Sequence, residues 1–285
     1  MSQRHTWYRL AIARPDGPTE IVVAPGAHLG DAIALGVRHA GRGSWAAAAA
    51  NAIAAEVPLG GSVGKNDLVV RGPDPDFSLG LRWPLGVVPS FDSARKAAAI
   101  RPGFARRTGD HLVLEAQLGG RELDELLLSV LERLPAADNI EIKVADHHDD
   151  HGTTEIWLSP RLGVKKAIHW LDDHDVEWLH NGHLELAIYL RKQRSTLRLT
   201  EHKTLAWVSD DADLTAQVAT WLGEAVPELD TLSTLAQVGH FHWRPAATSA
   251  RPRLIDRLRR QGLRKVDAWP GPRPPVKALT SGSAP

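Results

Sequence analysis

Apolar positions along this chain switch between two periods, and the switches mark out its elements. From Thr6 to Val23, β-branched, aromatic and leucine residues flank Arg14-Pro15-Asp16-Gly17-Pro18. A preset proline φ, an Asx-type hydrogen bond and a glycine at a positive-φ position predict a β-hairpin there. Leu29, Ile33 and Val37 recur every four residues ahead of Gly41-Arg42-Gly43, which predicts a helix over 29–39. The alanine-rich run from Ser44 to Ala55 predicts a second helix, with Ser44 as its N-cap. A turn at Pro58–Gly61 and a strand over Asp67–Arg71 follow.

Residues 72–110 are punctuated by Pro and Gly and read as a junction with one short strand, Phe77–Trp83. Regular periods return at Leu112. A strand to Leu118 leads into a helix over Arg121–Leu134, where Leu123, Leu126, Leu127, Val130, Leu131 and Leu134 form one apolar stripe. Over Asn139–Val144 the pattern alternates, with Ile140, Ile142 and Val144 on one side and Glu141 and Lys143 on the other. Thr153–Leu158 predicts a strand that pairs back on 139–144, and Val164–His180 a helix. His183–Leu190 alternates again, followed by strands at Leu197–Leu199 and Leu205–Val208, a helix capped near Asp210–Asp213, and a last strand at His240–Trp243. Between 251 and 277 nine Arg and Lys stand against Asp256 and Asp267, with Leu254, Ile255, Leu258 and Leu263 as a narrow apolar edge of an amphipathic helix. The final Pro/Gly/Ser-rich residues are expected to be disordered.

Composition narrows the function. The 285 residues carry 34 basic and 34 acidic side chains, so a globally basic nucleic-acid binder is disfavoured. Without cysteine there is no disulfide, thiol catalysis or cysteine-ligated zinc, which suits a reducing cytoplasm. No signal peptide and no membrane span are expected. The scattered Trp residues read as core anchors.

The order of hairpin, Ala24-Pro25-Gly26-Ala27-His28-Leu29-Gly30-Asp31-Ala32-Ile33 helix entry, Val57-Pro58-Leu59 and Lys65-Asn66-Asp67-Leu68-Val69-Val70 resembles a β-grasp, ubiquitin-like module over residues 6–72. The resemblance implies a binding module acting through an exposed sheet face. The expected fold is α+β. A β-grasp-like domain (1–72) and a Pro/Gly-rich junction (73–110) precede a larger domain (111–245), whose mostly antiparallel sheet is covered by helices on one side. A basic segment and tail (246–285) close the chain.

Two clusters carry candidate metal chemistry. The strand at 139–144 runs into Asp146-His147-His148-Asp149-Asp150-His151, which looks like the signature of the DHH phosphoesterases and by that resemblance implies divalent metal. Carboxylates hold hard cations and imidazoles suit manganese or zinc. The further His-x-x-Pro-Asp-x-Asp and Gly-Gly-Gly-His patterns of that family do not occur; a solvated loop between two strands explains the same residues. His240-x-His242 places two imidazoles on one side of a strand, with His174, His180 or His183 as conceivable partners. Gly60–Asn66 does not fit a P-loop, because the first glycine falls at Leu59 and Asn66 replaces the Ser or Thr. Arg257, Arg259, Arg260, Arg264 and Lys265 form a basic group able to meet phosphate or an acidic partner.

The sequence therefore favours a non-enzymatic intracellular interaction module without cofactor: an adaptor, an immunity-type inhibitor or an assembly accessory with a protein partner. One alternative is a metal-dependent hydrolase using Asp146, His147, His148, His151, His240 and His242. The other is nucleic-acid association through residues 251–277.

Overall fold

The computed structural model describes residues 6–57, 67–145 and 153–266. The fold is α+β, with a four-stranded sheet and an eight-stranded sheet. In the first, β1 (Thr6–Arg14) and β2 (Gly17–Gly26) form the expected hairpin. They are flanked by β3 (Trp45–Asn51) and β4 (Val69–Asp74) in the order β3-β1-β2-β4, antiparallel throughout. Helix α1 (Leu29–Ala40) covers one face and joins Leu29, Ala32 and Ile33 to Leu10, Ile12, Val22 and Ala24. Asp31 accepts from the backbone N–H groups of Ala27 and His28, which satisfies donors orphaned at the helix start.

The alanine-rich segment is not a helix. It is β3, with Leu10 opposite Ala49 and Ala11 opposite Ala48. Alanine favours a helix only by tenths of a kcal/mol per residue, and pairing with β1 outweighs that. Small side chains also let another layer close over the second face, where Phe77, Phe91 and Ala94 pack on Ala11, Ala13, Ala47 and Ala48. Phe77–Trp83 forms no strand; the stretch is irregular, with Phe77 in that cover and Leu81 and Trp83 packed with Val87, Ala97, Ile100 and Leu235. Regular structure enters the 73–110 stretch elsewhere: β5 (Val87–Pro89), α2 (Ala94–Ala98) and β6 (Gly103–Thr108).

The larger sheet adds β7 (Leu112–Gln117), β8 (Asn139–Val144), β9 (Glu155–Leu158), β10 (Leu184–Leu190), β11 (Ser195–Leu199), β12 (Leu205–Ser209) and β14 (Arg264–Val266). Their order is β14-β9-β8-β10-β11-β12-β7-β6, with every neighbour antiparallel. β9 pairs back on β8 as the alternation predicts, and β14, hidden in the basic stretch, extends that edge.

One face of this sheet carries the main core. Ile140, Ile142, Val144, Leu184, Leu186, Ile188, Leu197 and Trp207 meet α3 (Gly120–Arg133), α4 (Val164–Asp172), α6 (Ala212–Gly223) and α7 (Arg251–Arg260). Burying each such aliphatic side chain stabilises the fold by roughly 1.5–3 kcal/mol. The helix expected over 164–180 is broken: α4 ends at Asp172 and α5 (Asp175–Trp178) restarts after a non-helical His174. The break lets Trp178 stack on Trp170, with centroids 4.7 Å apart, inside the core. Asp211 caps α6 by accepting from the Leu214 N–H at 2.9 Å. The apolar edge of α7 is real, with Leu254 and Leu258 fully buried. Among the described residues, the opposite face of the sheet gathers a small cluster of Leu158, Ala187, Tyr189 and Val266.

The two units meet through a short ribbon, β13 (His240–His242) on β5. A parallel bridge from Ser90 to Ala49 carries β5 on to β3. No helix among the described residues is long and apolar enough to cross a membrane. The Asp146–His151 cluster, the turn at 58–61, the glycine-rich stretch 60–66 and all residues after Val266, Lys277 included, lie outside the described residues.

Candidate metal centre

Strand alternation on β13 sends its side chains two ways. Phe241 and Trp243 enter the apolar cluster of the N-terminal unit beside Val88, so His240 and His242 face the other side. There they meet His202, on the turn between β11 and β12. That turn is closed by Lys203 N–H to Thr200 O at 2.9 Å and Thr200 N–H to Thr204 O at 3.0 Å, with Lys203 at φ 57° in the left-handed region. The His202 ring centroid lies 4.9 Å from that of His240 and 5.2 Å from that of His242. One ring nitrogen from each of the three residues falls within 4.8 Å of the other two, and all three residues are half-buried.

Main-chain carbonyls orient two of the rings. His240 Nδ1 lies 2.8 Å from Val238 O, and His242 Nδ1 lies 2.7 Å from Gly182 O. A carbonyl only accepts, so each Nδ1 carries its hydrogen, and Nε2 is the lone-pair nitrogen of the neutral ring. The two Nε2 atoms stand 3.1 Å apart. Two lone pairs at that distance repel unless a cation lies between them, either a proton on one ring or a shared metal ion. A tetrahedral zinc ion at about 2.0–2.1 Å from each nitrogen holds two of them roughly 3.3–3.4 Å apart, close to what is seen. Anchoring of Nδ1 with Nε2 presented inward is also the outer-shell arrangement that metal-bound imidazoles adopt. Three neutral nitrogen donors suit zinc, copper, iron or nickel rather than calcium or magnesium.

Of the residues expected to chelate, His240 and His242 are thus brought together. The partner is His202, which stands in none of the sequence motifs. His183 lies nearby, its ring centroid 6.3 Å from that of His242. His180 is turned away, with Nδ1 3.4 Å from Asp124 and Nε2 3.7 Å from Asp175, and His174 packs edge-on to Trp178. Asp146, His147, His148 and His151 lie outside the described residues. Ala145 N–H donates to His183 O at 2.9 Å, and the buried Arg251 guanidinium donates to Ala145 O at 2.7 Å and Thr153 O at 2.5 Å.

Beneath the triad lies a second ionisable group. Lys203 is fully buried, and its Nζ donates to Asn181 O at 2.9 Å. Burial pulls its amine down to about 7, against the attraction of Asp124 and Glu201. Burial raises the Asp124 carboxyl to about 7, with Lys203 opposing and Asp175 and Glu125 reinforcing. His180 is lowered, first by burial and then by Lys203.

The basic residues of the C-terminal segment are spread rather than gathered. Arg257 sits 3.6 Å from the buried Glu177, Arg259 lies over Trp157 and 3.6 Å from Asp256, and Lys265 pairs with Glu155 at 3.0 Å. Arg260 and Arg264 are exposed.

No family model, curated protein or solved structure matches this chain.

Proposed function

We propose that this protein binds a divalent transition-metal ion of the zinc class through His202, His240 and His242. The observation that carries the reading is the pair of Nε2 atoms held 3.1 Å apart by rings whose Nδ1 atoms are anchored on carbonyls, with a third imidazole beside them. Such an ion supplies Lewis acidity and an activated water when it hydrolyses a bond, so metal-dependent hydrolysis is the catalytic form of this reading. The test is metal analysis of protein purified without a histidine tag. About one equivalent of zinc per chain, lost in the His240→Ala/His242→Ala variant, is expected for a three-imidazole site. A metal-free chain whose melting temperature ignores added zinc would remove the reading.

A second reading, an interaction module, draws on the outer face of the larger sheet. Lys143 and Arg198 are partly exposed there, beside the buried Glu185 and Tyr189 and a small apolar cluster to which no described helix contributes. This surface suits a protein partner, and pull-down with a Lys143→Glu/Arg198→Glu control separates it from a metal-centred role.

A further inference from the structure

The three imidazoles do not belong to one sheet. His240 and His242 ride on β13, which pairs with β5 and packs Phe241 and Trp243 into the core of the N-terminal unit. His202 rides on a turn of the eight-stranded sheet. Between them runs a tight seam. Gly182 N–H donates to Trp243 O at 2.8 Å, Trp243 N–H donates to Gly86 O at 2.8 Å, and His242 Nδ1 meets Gly182 O. A Cβ on Gly182 would stand 1.7 Å from Gly86 O, so three chain segments touch here backbone to backbone. We propose that the bound ion fastens this seam, taking two ligands from the N-terminal unit's ribbon and one from the larger sheet, so that metal occupancy sets how firmly the two units dock. The inference rests on the metal-binding reading above and adds a role for the ion.

The reason is thermodynamic linkage. An ion whose ligands come from separate elements binds tightly only when those elements are in place, so part of its binding energy becomes energy of docking. The main-chain bonds at Gly182 and Trp243 already hold the seam. The ion is therefore expected to suppress its local opening rather than to create it. His240 and His242 share a strand and can grip an ion without spanning the seam; among the described residues grouped for a metal, His202 is the one that reaches across from the larger sheet.

Hydrogen exchange of the full chain, stripped with a chelator and then reloaded with zinc chloride, tests this, with metal content measured on the same samples. Zinc is expected to slow exchange in β13, in β5 and around Gly182 by about tenfold or more, while the edge strand β4 changes little. In His202→Ala, zinc binds roughly a hundredfold more weakly, and at saturating zinc the seam amides no longer slow. The wild-type comparison stands even if that variant folds poorly. Zinc held at about one per chain with unaltered exchange in β13 and β5 would overturn the fastener and leave the metal site standing. A chain that retains no zinc would remove both.

Discussion

Two groups of ionisable side chains flank the turn between β11 and β12, and neighbouring residues lead into them. Lys203 leads inward to Asp124, His180 and Asp175, where burial outweighs the attraction of opposite charges, lowering the lysine and the His180 imidazole and raising the Asp124 carboxyl toward their neutral forms. His202 leads outward to His240 and His242, where imidazole meets imidazole and the fixed lone-pair nitrogens converge. The contrast separates a histidine held toward its neutral form by burial and Lys203 from histidines whose ring nitrogens face one another. Carbonyls behind His240 and His242 fix their tautomer and turn the two Nε2 atoms toward each other.

The largest effect should come from deleting that centre. His240→Ala with His242→Ala removes two ligands, at about 3 kcal/mol each if a four-ligand structural zinc site shares its energy evenly. Competition titration should then show zinc affinity falling roughly ten-thousandfold, while the cluster on the Lys203 side is untouched. Next comes Gly182→Ala. Its Cβ collides with Gly86 O, so chemical denaturation should show a loss of about 3 kcal/mol. Displacing the carbonyl behind His242 should also weaken zinc by roughly tenfold.

A smaller effect probes the charged side. Asp124 keeps its proton in the folded state up to about pH 7, whereas the unfolded carboxyl loses it near its usual value of 3.8. The folded state therefore holds an extra proton in between, and the stability this gives falls as pH rises from about 4 to 7. Asp124→Asn should flatten stability-against-pH curves by up to one proton's slope in that window. The smallest effect separates the clusters outright. His180→Gln should shift the pH dependence of stability and leave zinc affinity within about twofold, because the two sites share no ligand.

Much of this architecture is legible in the residues. The leucine stripe of α3, the alternation of β8 and β10 and the Pro-Asp-Gly hairpin each declare a period or a turn that the fold keeps. The alanine run does not, because alanine's local preference is weak and β1 offers it a partner along its length. Half of the centre is also legible. Two histidines at His-x-His spacing on a strand must share a side, and they do. His202 is not, since Thr-Glu-His-Lys-Thr reads as a solvated turn and only tertiary packing carries it to β13. The left-handed φ and full burial of Lys203, which leave its preceding neighbour facing the seam, are visible only in the fold.

The most direct measurement is X-ray absorption at the zinc edge on the stoichiometrically loaded full chain. The account predicts a nitrogen shell near about 2.0 Å with imidazole scattering from at least three rings, and no bound zinc to measure in His240→Ala/His242→Ala. A shell of oxygen donors alone, or stoichiometric zinc with an unchanged imidazole signal in that variant, would contradict it.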